Sequence, residues 1–280
     1  MLASIIDSIR ALKVFKIIET LALVLIMLFI LVPIFWFLIT AFKNPIDVYT
    51  LKVLFRPTWE NFYKVLFDPH HFIRFLLNSS IISFATTLIA LPAALMAAYS
   101  FSRFRIAGSK HILFWIISTQ FMPPIAVVLP FYIVLRNMGL IDTRLAMIIV
   151  HLAMTLPFTV WLLKGYMDGI PVEIEEAALV DGCSRVQALR HVTLKLSIPG
   201  IVVAGIFSLI LSWNEFLFAL ILTNKRAVTL PVGLVGLHGH EGIIWEGMAV
   251  AGILIMIPMF VLALFIQKHF VRGLTLGAIQ

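Results

Sequence analysis

The chain has 280 residues, of which 61% are hydrophobic and 12% charged, with a net charge of +7 and a mean hydropathy of +1.06. Soluble domains keep about a quarter of their residues charged, so this composition excludes an ordinary water-soluble enzyme and points to a surface that meets lipid. The positive charge does not signal nucleic-acid binding: the basic residues are spread over all loops, without a basic helix or an aromatic platform, and in membrane proteins such residues sit near headgroups.

From Thr20 to Ala41 there is no Asp, Glu, Lys or Arg, and a helix needs about 20 apolar residues to cross a hydrocarbon core. Five more stretches of this kind follow, at Phe75–Phe101, Ile112–Leu135, Leu145–Leu163, Pro199–Leu222 and Met248–Ile266. Their apolar runs are continuous, whereas barrel strands alternate. The expected fold class is therefore an all-α polytopic membrane protein with six transmembrane helices, as a single domain over residues 1–280 without internal repeats. The first stretch exceeds the usual signal-peptide core and no small-residue cleavage site follows it, so it reads as a retained span. With both termini inside, twelve Lys and Arg lie on that side and nine on the other, and Arg10, Lys13 and Lys16 precede the first span; both observations favour an inside N-terminus.

Three connections are long. Residues 43–74 lie outside and carry Pro45, Pro57 and Pro69; residues 165–198 lie inside and hold Asp168, Glu173, Glu175, Glu176 and Asp181; residues 223–247 lie outside and are glycine-rich. Every span contains or begins with proline: Pro33, Pro92, Pro123 with Pro124 and Pro130, Pro157, Pro199 and Pro258. Membrane helices tolerate proline, but this density favours a bent bundle around a path, because each proline frees a backbone group that neighbours must satisfy. Glu215, next to Asn214, is the one acid inside a span, and a charge there usually faces an interior or a water-filled cavity. Asn214 and Glu215 are candidates for a substrate path, with a structural hydrogen-bond pair between helices as the alternative.

The inner connection reads as a short helix–turn–helix. Pro171 suits a first turn, Glu173, Glu175 and Glu176 sit where the helix dipole favours negative charge, Gly182 breaks the helix, and Ser184 caps a second one with Val186, Leu189 and Leu196 as its apolar stripe. Ile174, Ala177 and Ala178 form a small-residue face with Asp181 next in line.

At these residues the chain resembles a known family. Glu176-Ala177-Ala178, then Leu179-Val180-Asp181 and Gly182, matches the EAA-x3-G signature of permease subunits in binding-protein-dependent ABC importers. Val192 and Leu194 fill its later apolar places; Lys195 replaces its proline, and Pro199-Gly200 is expected to take over the break. Leu77-Asn78-Ser79, Ala97-Ala98-Tyr99-Ser100-Phe101-Ser102-Arg103-Phe104, Met122-Pro123-Pro124, Pro130-Phe131-Tyr132, Met138-Gly139-Leu140, Trp213-Asn214-Glu215-Phe216, Thr229-Leu230-Pro231-Val232-Gly233 and Phe270-Val271-Arg272-Gly273-Leu274-Thr275 follow in the order of the carbohydrate-uptake, maltose permease G-type branch.

The resemblance implies a type I ABC importer permease in a bacterial inner membrane, both termini cytoplasmic, moving a sugar, oligosaccharide or sugar-like solute. Its implied partners are a homologous second permease as heterodimer, two ATPase subunits and an extracytoplasmic solute-binding protein. Implied ATPase-coupling residues are Glu175, Glu176, Ala177, Ala178, Asp181 and Gly182 in the loop 165–198, and Gly273, Leu274, Thr275 and Gly277 in the tail 270–280. Pro231, Gly233, His238, His240 and Glu241 would meet the binding protein. No cofactor is expected in this chain: it has no Gly-Lys pair for a P-loop, so ATP and Mg belong to partner subunits. The chain is thus read as a translocation subunit and not an enzyme, with a self-sufficient channel or ion-coupled carrier as the alternative class. No metal site is expected, because a zinc HExxH pattern at His240 would need histidine where Ile244 stands. The single cysteine, Cys183, excludes an internal disulfide and reads as a small space-filler.

Overall fold

The computed structural model describes residues 2–67, 72–239 and 242–277, with the backbone alone for 2–14, 238–239, 242 and 266–277. The chain forms two units, Met1–His70 with Gly239–Ile253, and His71–His238 with Leu254–Gln280.

The first unit opens with α1 (Leu2–Thr40), followed by α2 (Pro45–Val48) and α3 (Glu60–Leu66). The stretch Phe15–Thr40 has a mean hydropathy of 3.1, and most of its side chains are exposed; a helix apolar on every side and largely uncovered by the described residues is built for lipid or a partner. The chain after α1 is tied down. Lys43 is wholly buried, donating to the Thr50 carbonyl at 3.2 Å and lying 4.2 Å over the Trp36 ring. The Asn61 amide donates to the carbonyls of Ala41 and Lys43 at 2.9 and 2.8 Å, and Phe42, Trp59 and Phe62 pack ring to ring.

The second unit contains α4 (Phe72–Arg103), α5 (Ser109–Ser118), a 3₁₀ turn (Thr119–Phe121), α6 (Pro124–Asn137), α7 (Arg144–Asp168), α8 (Val172–Val180), α9 (Arg185–Ala188), a π-helical turn (Leu189–Thr193), α10 (Leu194–Leu196), α11 (Ile198–Trp213), α12 (Leu217–Leu222) and α13 (Leu230–Val235). A short hairpin, β1 (His238–Gly239) with β2 (Gly242–Ile243), leads into α14 (Trp245–Gly277). In the first unit's part of α14, Gly252 abuts the Phe37 ring so closely that a Cβ would overlap it.

Helices α4 and α7 run side by side in the same direction: Arg144 at the start of α7 donates to Asn78 near the start of α4 at 2.8 Å, and Ser102 and Asp168 bond at their far ends at 2.8 Å. Helix α11 returns between them. Small residues make this close packing possible: Ala94, Ala98 and Ala204 are buried with Val160, Leu163 and Met167, and Gly200 sits against the Tyr166 ring with no room for a Cβ.

Among the described residues, four helices are long and apolar enough to cross a membrane, and two bent pairs bring the total to six if each pair is one span. The expected third span is bent by 96° between α5 with its 3₁₀ turn and α6, at Pro123-Pro124, where a proline pushes the preceding residue out of helical geometry; Pro123 has φ −58° and ψ 126°. The second bent pair, Arg185–Leu196 with Ile198–Trp213, turns by 73°, next to Pro199-Gly200 as the sequence suggests. The expected fifth span is also interrupted after Trp213, and helix resumes only at Leu217.

Candidate functional site

The inner connection folds onto the common end of α4 and α7. Pro171 holds extended backbone ahead of α8, Gly182 ends it at φ +90°, and Ser184 starts α9 in a capping box with Gln187. The space around Gly182 is open, with no heavy atom of the described residues within 4 Å of a would-be Cβ. Glycine is required there by its backbone angle and not by crowding.

The acidic run divides into two directions. Glu175 turns inward and is buried. It accepts hydrogen bonds from the Tyr99 hydroxyl, from Arg103 Nε at 3.1 Å and from the Thr193 hydroxyl at 2.9 Å, while Arg103 Nη2 donates to the Ile170 carbonyl at 3.0 Å. The π-helical turn, which carries Thr193, is the sort of local unwinding that re-aims a side chain, and it replaces part of the regular second helix expected there. Glu176, Ala177, Asp181 and Gly182 face outward and Ala178 is half-buried. Around them the apolar side chains of Val180 and Val186 are 87% and 73% exposed, beside Val172 and Ile174. The loop is thus pinned from within by one glutamate and presents a small-residue, apolar outer face bordered by carboxylates.

The break at Pro123-Pro124 and the one after Trp213 come together at α7. A cavity of about 390 Å³ is lined by Thr119, Gln120, Met122, Phe131, Met154 and Phe218, among others. Such a size fits the ~300–1,000 Å³ range of small-molecule pockets. Ala153 and Pro157 also border it, and Pro157 has no N–H to offer the Ala153 carbonyl one turn back. Irregular backbone within a membrane span is tolerated where it lines a cavity.

Glu215 sits in the break after Trp213. Its carboxylate accepts from the N–H groups of Phe218 and Ala219 at 2.7 and 3.0 Å, capping the restarted helix α12 where orphan donors and a positive dipole end favour an anion. It borders a smaller pocket of about 60 Å³ with Gln120, His151, Met154, Thr155 and Ser212. Asn214 goes elsewhere: exposed, it donates to the Ile210 carbonyl at 3.0 Å and to Met259 Sδ at 3.4 Å.

Of the outer-loop candidates, Pro231 lies half-buried in the first turn of α13, and Gly233 is buried beneath the Phe75 ring. The preceding segment is anchored by Asp142, at φ +60°, whose carboxylate accepts the N–H groups of Asn224, Lys225, Arg226 and Ala227 at 2.9 to 3.2 Å. Burial alone would push its pKa up, but these four donors outweigh it and hold the carboxyl below its ordinary value. His238 lies in β1; His240 and Glu241 fall outside the described residues. The backbone of Gly273, Leu274, Thr275 and Gly277 continues α14, and Ala278–Gln280 fall outside the described residues.

Tyr99, Arg103, Thr193, His151 and Thr155 were not singled out by sequence reasoning. Tyr99 and Arg103 lie within a motif quoted for resemblance, yet nothing in the spacing pairs them with Glu175 seventy-odd residues away.

Known proteins carry the same pattern. Residues 90–276 match the family described as "Binding-protein-dependent transport system inner membrane component". The chain is 33% identical over 261 residues to the trehalose/maltose transport system permease protein MalG of Thermococcus litoralis, covering 92% of this chain and 94% of the relative. It is 31% identical over 252 residues to the diacetylchitobiose uptake system permease protein DasC of Streptomyces coelicolor, covering 89% and 91%. Its fold matches that of a chain in a bacterial ABC transporter involved in the import of the acidic polysaccharide alginate, with a TM-score of 0.78 and 24% identity over 92% of this chain and 97% of that one. The helix breaks, the apolar spans and the EAA-bearing loop thus belong to a chain of this family: it is an inner membrane component of a binding-protein-dependent transport system, a permease subunit and not an enzyme.

Proposed function

We propose that this chain is the passive translocation subunit of an ATP-driven importer for a sugar, oligosaccharide or sugar-like solute. It pairs with a homologous second permease as a heterodimer, two ATPase subunits and an extracytoplasmic binding protein, with both termini cytoplasmic, and leaves ATP and Mg to the ATPases. Support for the solute class comes from relatives named for trehalose/maltose and diacetylchitobiose uptake.

One observation carries the coupling role: the outward face of α8 and α9, where Val180 and Val186 are left bare beside Glu176 and Asp181. Apolar side chains this exposed at the wet end of a membrane protein mark a partner surface. Ala177 and Gly182 let that partner come close. Glu175 contributes from inside, fastening the loop to α4 so that force on α8 reaches the transmembrane helices. The tail residues Gly273, Leu274, Thr275 and Gly277 are proposed as a second ATPase contact, and His238, His240 and Glu241 as contacts for the binding protein.

The test is co-purification from native membranes of the wild type, Gly182→Asp and Val180→Asp. Val180 is so exposed that its substitution should leave the fold alone. The ATPase should accompany the wild type and be missing from both variants, with the second permease retained. Variants that keep the ATPase and wild-type ATP-dependent uptake would sink the coupling role; a wild type that comes out alone and transports unaided would make it a self-sufficient carrier.

A further inference from the structure

The small pocket below the cavity holds polar atoms that packing alone does not account for. His151 and Thr155 stand one turn apart on α7, each about 1% exposed. Among the described residues, neither His151 Nε2 nor Thr155 Oγ1 has a hydrogen-bond partner, and both side chains line the pocket with Gln120, Met154, Ser212 and Glu215. Buried polar atoms are nearly always paired, and each exception needs an explanation.

The histidine is held in place by its other nitrogen, Nδ1, which stands 2.6 Å from the Ser212 hydroxyl. Whichever of the two carries the shared proton, Nε2 is left wanting a partner, as acceptor in one tautomer and donor in the other. Its nearest charged neighbour, Glu215 Oε2, is 3.5 Å away, and that carboxylate is already engaged with two backbone N–H groups. Gln120 donates to the Met154 carbonyl at 2.9 Å, and its amide oxygen has the capacity to accept. The pocket, at about 60 Å³, exceeds the ~15 Å³ that one water needs, and it shares Gln120 and Met154 with the larger cavity.

Donors and acceptors are interleaved here, and a hydroxyl group is both at once. Among the described residues no group of three or more His, Cys, Asp or Glu stands ready for a metal ion, and an anion would meet Glu215. We propose that this chain itself carries a subsite for a hydroxyl-bearing edge of a neutral polyhydroxylated solute, held by His151 Nε2, Thr155 Oγ1 and Gln120 on its way through the cavity. The inference rests on the import reading and adds to it a direct substrate contact on this subunit.

Thr155→Val gives a clean test, because it replaces an unpartnered hydroxyl by a methyl of the same shape and should hold or raise the thermal midpoint. The assembled importer in proteoliposomes, with its binding protein at saturation, is offered radiolabelled maltose, trehalose and diacetylchitobiose. For the sugar that the wild type takes up, Thr155→Val should lower uptake about 3- to 10-fold, the effect of one lost hydrogen bond, while binding-protein-stimulated ATP hydrolysis stays near wild type and Thr155→Ser restores uptake. Wild-type uptake in Thr155→Val, or an equal loss in Thr155→Ser, overturns the subsite and leaves a pocket that holds water only. A wild type that takes up none of the three with ATP brings down the import reading first, and the subsite with it.

Discussion

Glu175 and Glu215 are both buried glutamates of the second unit, and they are held in opposite ways. Glu175 is enclosed by side chains, with a guanidinium, a phenol and a hydroxyl on its two oxygens. Glu215 is bonded to the backbone of a broken helix and borders a pocket in which two neighbouring polar atoms have no partner among the described residues. A closed network rigidifies the element it joins, which suits the coupling role proposed for the loop. An incomplete one needs an explanation, which the proposed subsite would supply. Satisfaction, and not burial, separates the two carboxylates.

The comparison is most easily broken at Glu175. Removing one partner of a buried pair leaves the other charge uncompensated, at about 3–5 kcal/mol, so Glu175→Ala should lower the unfolding free energy of the solubilised protein by roughly that amount. Adding Arg103→Leu should recover part of the loss, because the stranded guanidinium goes too. A single-mutant loss below about 1 kcal/mol, the range of an exposed pair, would show that water reaches Glu175 and that the loop is not pinned there.

Glu215 should matter less to stability. Its role in the fold is a helix cap, worth about 0.5–2 kcal/mol. Chemical denaturation of Glu215→Ala should therefore fall in that window, with Glu215→Gln milder because one oxygen still accepts an N–H. A loss as large as that of Glu175→Ala would mean that Glu215 also belongs to a tight charged network, and the contrast between the two would disappear.

Much of this was legible in advance, for different reasons at different depths. Span positions follow from the absence of charge between Thr20 and Ala41 and its near-absence in the five counterparts, where Glu215 is the one acid, because lipid tolerates little else. The turn at Gly182 and the cap at Ser184 are local backbone chemistry, readable from neighbours in sequence. The break at Pro123-Pro124 is likewise local, though its 96° angle is not. The inward turn of Glu175 was hidden, since its partners come from α4 and from a π-helical turn that no periodicity announces. The same holds for His151 and Thr155, which read as two more polar residues on an apolar helix until α11 and α12 are placed beside them. Asn214 and Glu215 are adjacent in sequence, yet the break in the helix sends them to different surroundings.

A third carboxylate sharpens the contrast from outside the membrane spans. Asp142 is satisfied by four successive backbone N–H groups, without a charged partner among the described residues, so it should resemble Glu215 in energy and Glu175 in completeness. Asp142→Asn suits the test, because asparagine tolerates positive φ and keeps one acceptor while losing the charge; the expected loss is about 1 kcal/mol. The sign with pH follows from its lowered folded pKa. Its stabilisation is complete above the ordinary carboxylate value of about 3.9 and is lost as pH falls through the lower folded value. The stability gap between wild type and Asp142→Asn should therefore stay constant from neutral pH down to about 5 and close only in stronger acid. A gap that opened as pH fell would mean that the four N–H groups do not favour the charged form, and that the loop after α12 is held by the Asn78 and Ser79 bonds instead.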